Sequence, residues 1–334
     1  MSTPRRSAGG AFVRWGGRRP NVARVRLASI DLGTNTVRLL VAEVTAGTAA
    51  WRTVHAEQRV TRLGEGLRAR GTLGDAAAAR TAAAVVAYVA RARAAGAARV
   101  AVVATSAVRE AANGRAFVTD LERAAGVAVR VISGEEEARL TLAGIVAGLG
   151  PLPGVVVAFD IGGGSTEYIL ARDGVLTAAA SLRLGVVSLA ERFPFPGPVE
   201  PARAAALRAD VDAQLARELP AVIATTRIDR LVGTAGTVTT LAALDLGLLD
   251  YDPARVQGHP LTRAAISRQH RRLAALDLAG RAALPCLEPG RADLILPGLA
   301  IVDATLDRLG CERLIVSDWS LREGILAELA AREV

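Results

Sequence analysis

The chain has 334 residues, too many for one ordinary core and suited to two units of common size. Half of the residues are apolar (51%) but only 3% are aromatic, so Ala, Val and Leu must fill the interior, as in layered helices and sheets. All 41 basic residues are arginine, against 33 acids. Seven of those arginines lie in residues 1–26, which hold no acid, so the remaining 34 almost balance the acids and give no case for specific nucleic-acid binding.

Residues 1–23 are glycine- and arginine-rich and are expected to be a disordered basic tail able to touch an anionic polymer. No signal-peptide core precedes Pro20, and no later stretch is apolar for the length of a membrane span. Cys286 and Cys311, the only cysteines, lack metal-ligand spacing, which fits a reducing compartment. A cytoplasmic protein without a membrane partner is expected.

From Val25 to Val44 the pattern reads strand, turn, strand, with Asp31 closing the first strand and residues 33–36 turning the chain. Residues 74–95 form an alanine-rich helix, Arg99–Ala104 a buried strand, and a second helix follows Thr105 and Ser106. Val127–Ile132 is a strand, and Ser133–Leu149 a helix stopped by Gly150, Pro151 and Pro153. A new strand, Val155–Phe159, leads through Asp160 and a glycine loop into Glu167–Ala171. The segments IDLGTNTVRLLVAEV and FDIGGGSTEYILARD share an aspartate, a glycine, small residues, a hydroxyl and a following strand, 129 residues apart. The chain therefore contains a duplication. Beyond the proline-rich residues 194–201 it is mainly helical, broken by strands at Arg230–Val232 and Arg313–Val316 and closed by a helix from Ser320 to Ala330.

Two glycine loops with hydroxyls and an aspartate suit a phosphate chain, which needs backbone N–H groups, hydroxyl donors and a cation nearby. The first offers Asp31, Gly33, Thr34, Asn35 and Thr36, the second Asp160, Gly162, Gly163, Gly164, Ser165 and Thr166. Either alone could equally be a tight turn with a capping aspartate. Ser133 and Glu136 fit a capping box at the start of a helix, and Glu135 gains from the helix dipole. Spacing alone leaves Glu137 on either a solvated face or a functional one. Arg109 could clamp a phosphate or lie on an exposed helix. The turn carrying Gly233 and Gly236 could face an anion or serve packing.

The sequence resembles the exopolyphosphatase and guanosine pentaphosphate phosphatase family, within the actin, sugar kinase and heat-shock chaperone superfamily. The resemblance runs from about Leu27 to Leu326 and is carried by DLGTNTVR, ATSAVREAAN, ISGEEEAR, DIGGGSTE, GTAGTVTTLA and VSDWSLREG in the family's order. It implies an α/β fold of two actin-like (ribonuclease H-like) domains with a cleft between them. The expected limits are 24–148 for domain I, joined by the helix 320–334 packing back on it, and 149–319 for domain II. By the same resemblance Glu137 is the catalytic residue, and Asp31, Asp160 and Glu167 are implicated in binding magnesium or another divalent cation. Arg109 matches a phosphate-contacting arginine. A homodimer is a further expectation.

Longer relatives carry extra C-terminal helical domains with histidine-aspartate motifs, but none of His55, His259 and His270 precedes an aspartate. A short form preferring short chains is expected. The implied reaction is hydrolysis of a terminal phosphate of inorganic polyphosphate, with water oriented by Glu137. Guanosine pentaphosphate is the alternative substrate, set second because no base pocket is evident in the sequence. A superfamily kinase and a non-catalytic alarmone sensor are the rival classes.

Overall fold

Strands β1 (Arg24–Leu32) and β2 (Thr36–Thr45) form an antiparallel hairpin whose register sets Asp31 opposite Arg38. The computed structural model describes residues 24–45 and 51–332; the basic tail expected over 1–23 lies outside them. β3 (Trp51–Val60) extends the hairpin, while β4 (Arg99–Ala104) and β5 (Val129–Val131) add in parallel on the other side, giving the order β3-β2-β1-β4-β5. β1 from Leu27 onward and most of β2 are buried, which explains their aliphatic runs.

The second sheet repeats this plan. β6 (Val155–Ile161), β7 (Thr166–Arg172) and β8 (Val175–Leu182) make the antiparallel part, and β9 (Arg230–Thr234) and β11 (Arg313–Ser317) the parallel part. A short β10 (Pro260–Thr262) edges β11, so the order is β10-β11-β9-β6-β7-β8. Removing β10 leaves the order of the first sheet, and Asp160 faces Glu167 where Asp31 faces Arg38. The duplication read from two segments thus extends to the whole topology.

Three strands were not legible in the sequence. β3 is an edge strand of mixed exposure, β10 has three residues, and the alanine run in β8 resembles a helix more than a strand.

The two halves are joined by helices. The Gly134–Leu149 helix lays Ala138, Leu142 and Ile145 on the second sheet, against Val156, Ala158, Ile169 and Ala171. The Leu321–Ala331 helix lays Leu326, Leu329 and Ala330 on the first, against Leu27, Leu40, Ala42 and Val44. The closing helix packs back on the first sheet, whereas a division at 148/149 would separate the Gly134–Leu149 helix from the sheet it covers.

The helices cross in backbone contact. A methyl group on Gly144 would overlap the Ser320 carbonyl and one on Gly324 the Leu140 carbonyl. Gly144→Ala or Gly324→Ala should therefore destabilise the chain by about 3 kcal/mol or more, because two helix backbones must separate. Gly197→Ala, at a glycine with open space around it, should be near neutral. Urea unfolding of the three variants checks this, and equal midpoints would refute it.

Candidate active site

The hairpin turns of the two sheets meet tip to tip. In the first, Gly33 N–H donates to the Thr36 carbonyl at 3.1 Å; in the second, Gly162 N–H donates to the Ser165 carbonyl at 2.9 Å. A side chain on Gly163 would press on Asn35 and Thr34 at 3.0–3.1 Å, and one on Gly164 would meet Ser106 Oγ at 2.6 Å, so close approach requires glycine.

The carbonyls of both turns are taken from behind. Asn35 O accepts Thr61 and Arg62 N–H at 2.9 and 3.0 Å, and Thr34 O accepts Gly64 N–H at 2.9 Å. Gly162 O and Gly163 O accept Val186 and Val187 N–H at 3.1 and 2.9 Å. The N–H groups of Thr34, Asn35, Gly163, Gly164 and Ser165 have no partner among the described residues. Backbone donors left over at a cavity wall favour anions.

That cavity measures about 100 Å³ and is lined by both turns together with Asp31, Glu137, Asp160 and Glu167. Glu137 lies in the first turn of its helix and is only 8% exposed, while Glu135 is exposed. Ser133 Oγ accepts Glu136 N–H at 3.1 Å, but the Glu136 carboxylate pairs with Arg130 at 2.7 Å instead of completing a capping box. The glutamate triplet is thereby sorted: one residue faces the cavity, one joins a surface ion pair and one meets solvent.

Four buried carboxylates sharing one cavity resist ionisation. Burial pushes Asp31 up to about 6, with Arg38 and Arg322 pulling the other way. Asp160 is pushed up to about 7 by burial and by Glu167. Glu137 is held well above the usual carboxylate range by burial and Glu167, opposed by Arg109, whose Nη1 donates to it at 3.1 Å. Burial also raises Glu167, whose Oε1 accepts Ser181 Oγ at 2.7 Å.

Among the described residues no three His, Cys, Asp or Glu side chains stand close enough to hold a metal between them. The donor set is nonetheless all hard oxygen and under-neutralised. It fits magnesium held through one or two carboxylates, with water and phosphate oxygens completing the shell, better than a closed protein cage.

Three residues picked from the sequence lie off the cavity wall. Thr166 is fully buried and donates to the Leu184 carbonyl at 2.5 Å. Gly233 packs in β9 between Phe159, Val238 and Leu314. Arg109 uses Nη1 for the Ile132 carbonyl at 2.8 Å and for Glu137, so this nitrogen braces the glutamate instead of standing free for a phosphate. Gly236 does line the cavity, and a side chain there would collide with Arg291.

Sequence reasoning missed Arg38, Thr105, Thr237, Arg291 and Ser320, all on the wall. Arg38 was within reach, since the hairpin register pairs it with Asp31. Arg291 comes from a distant loop, donates to Thr36 Oγ1 at 3.1 Å and is lowered to about 10 by burial and by Arg38. The preceding Ala235 has a φ of 69°, a left-handed backbone that is strained for alanine.

Residues 40–333 match the Ppx/GppA phosphatase family. The chain is 38% identical to exopolyphosphatase 2 of Mycobacterium tuberculosis, covering 92% of this chain and 100% of that one. Among solved structures, the Aquifex aeolicus member of the Ppx/GppA family is 31% identical with a TM-score of 0.79, covering 93% of this chain and 99% of the other. An exopolyphosphatase from Cytophaga hutchinsonii is 25% identical with a TM-score of 0.84, over 92% and 98%. The two-domain, actin-like α/β fold expected from the sequence is the one these structures share. With most of its length matched, and its duplicated hairpins meeting at one carboxylate-lined cavity, the chain belongs to the Ppx/GppA phosphatase family.

Proposed function

We propose that this protein is an exopolyphosphatase that releases the terminal phosphate of inorganic polyphosphate. The observation that carries the reading is Glu137, a buried carboxylate of raised basicity facing two turns whose backbone N–H groups lack partners among the described residues. The relative named exopolyphosphatase 2 supports the substrate class.

The turn N–H groups and the hydroxyls of Thr34, Thr36 and Ser165 bind the phosphate oxygens. Arg38, which has no hydrogen-bond or ion-pair partner among the described residues, adds positive charge on the wall. Arg109 positions Glu137 by holding one of its oxygens. Glu137 accepts a proton from a water as that water's oxygen bonds to the terminal phosphorus. The bond from phosphorus to the bridging oxygen breaks, its electron pair stays with the shortened chain, and orthophosphate leaves. Asp31, Asp160 and Glu167 would hold magnesium, directly or through water, and the ion would supply charge neutralisation to the phosphate oxygens.

A second reading, guanosine pentaphosphate 5′-phosphatase, draws on a neighbouring cavity of about 590 Å³ that shares Arg38, Arg291 and Gly236 with the first and reaches Tyr251. This cavity has the size for a base, so the lack of an evident base pocket in the sequence no longer argues for polyphosphate. Phosphate release from polyphosphates of several lengths, guanosine pentaphosphate and ATP, without a sugar or carboxylate acceptor, separates both readings from a kinase.

Glu137→Gln should keep polyphosphate binding and lower phosphate release by about 10²- to 10⁴-fold, the range lost with a general base. Normal release by this variant would reject the assignment.

A second prediction concerns stability. Asp160 stands at about 7 when folded against 3.8 as a free carboxyl, so its favourable contribution is fully present below pH 3.8 and lost as pH rises through 7. Asp160→Asn should therefore raise the melting temperature of the metal-free chain at pH 7.5, and magnesium should stabilise the native protein more at pH 7.5 than at pH 5. Thermal scans at both pH values test this; an equal magnesium shift at each would count against a cation at these carboxylates.

A further inference from the structure

One wall of the cleft is a strap, residues 287–295, that carries Leu287, Arg291, Leu294 and Ile295 to the cavity. It is tied across to the first sheet's side by polar contacts. Arg62 Nη1 and Nη2 donate to Asp293 Oδ2 and Oδ1 at 2.9 and 2.8 Å, and Nη2 also reaches the Gly290 carbonyl at 3.0 Å. Gln58 donates to Glu288 at 3.2 Å. Arg62 holds a left-handed backbone, φ 51°, fixed within its own half by its N–H on Asn35 O at 3.0 Å and its carbonyl on Glu65 N–H at 3.1 Å.

Beneath the strap lies a guanidinium with too few partners. Arg281, on the Leu278–Ala282 helix, is 0% exposed; its Nη2 donates to the Phe195 carbonyl, but its Nε and Nη1 have no partner among the described residues. Buried donors left unmatched are costly, most of all on a charged group. Asp277 and Asp293 are the carboxylates whose charge bears on Arg281. Asp277 caps its own helix by accepting Gly280 N–H at 2.7 Å. Asp293 lines the same cavity as Phe195 and Leu278, and both its oxygens are turned to Arg62.

We propose that Asp293 is the catch of a two-position cleft closure, paired with Arg62 across the cleft when closed and with the buried Arg281 of its own half when open. The Arg62 pair is about one-third exposed on each side, so water and salt weaken it and it can be released without a large loss. Release gives Arg281 the partner it lacks, which offsets the loss of the Arg62 pair, so a bound phosphate chain can bias the two positions. Closure brings Arg291 to Thr36; opening lifts it away and frees the product's path.

The proposal rests on the phosphatase reading only for what enters the cleft, so its test uses no substrate. Dyes are attached at Arg115→Cys and Arg227→Cys, exposed positions on opposite halves, in full chain carrying Cys286→Ser and Cys311→Ser. Energy transfer then reports the populations of the two positions. Arg62→Gln removes the closed partner only and should raise the open-to-closed ratio about fivefold, the upper range for an exposed ion pair. Asp293→Asn removes both partners and should change it less than about twofold. Equal opening by the two variants would reduce Asp293 to a simple tie and overturn the exchange, as would no shift in either. Arg281→Met, if it folds, should favour the closed position; a shift toward the open one contradicts the proposal. Failure here leaves the Glu137 assignment standing, because that is read from phosphate release alone.

Discussion

The backbone contact between Gly144 and Gly324 fixes the distance on which the site depends. Both helices in that crossing carry site residues at their amino ends, Glu137 on one and Ser320 and Leu321 on the other. Each helix also covers one sheet, so the crossing sets how far the sheets, and therefore the tips of their first hairpins, stand from each other. A wider crossing would part the turns that Gly163 and Gly164 allow to touch. The glycines at the crossing and those at the turns answer one geometric demand at its two ends.

Charge supplies the second constraint. A cavity holding four buried carboxylates is a poor place for a phosphate chain unless something cationic intervenes, and the raised values of Asp31, Asp160, Glu137 and Glu167 register that conflict. Arg38 and Arg322 relieve it around Asp31, and Arg109 relieves it around Glu137. Asp160 is pushed up by burial and by Glu167, with Arg38 as the opposing charge, so an added cation would relieve repulsion there.

Much of this was legible in the sequence because a duplicated hairpin repeats both its hydrophobic pattern and its turn chemistry. The strand-turn-strand reading of 25–44 located Asp31, and its echo located Asp160. The aliphatic runs at 99–104 and 230–232 located two strands that the sheets take up in parallel. What escaped has physical reasons. β3 and β8 carry the outer, partly exposed ends of each sheet, where pattern is weak, and alanines in β8 favour the wrong element. Periodicity could not tell which of three consecutive glutamates would be buried, since helix rotation relative to a distant sheet decides it. Arg291 enters from a loop some 250 residues after the turn it touches, and no local pattern encodes that meeting.

The repeats differ where their chemistry differs. Opposite its aspartate the first hairpin places Arg38 and the second places Glu167, at matching positions of the same register. The first hairpin therefore sets a positive charge against its acid, and Arg38 pulls Asp31 back toward the charged form. The second presents two acids that cannot both ionise cheaply without a cation, and it faces Glu137. Two symmetric phosphate cradles would hold a chain from both sides equally and favour no single bond. An arginine on one side and an acid on the other polarise the cleft, and the proposed reaction needs that asymmetry to grip a phosphate chain on one side and activate water on the other. In the proposed reaction the direction of attack then comes from one position in a copied hairpin, and the common fold supplies only the meeting point.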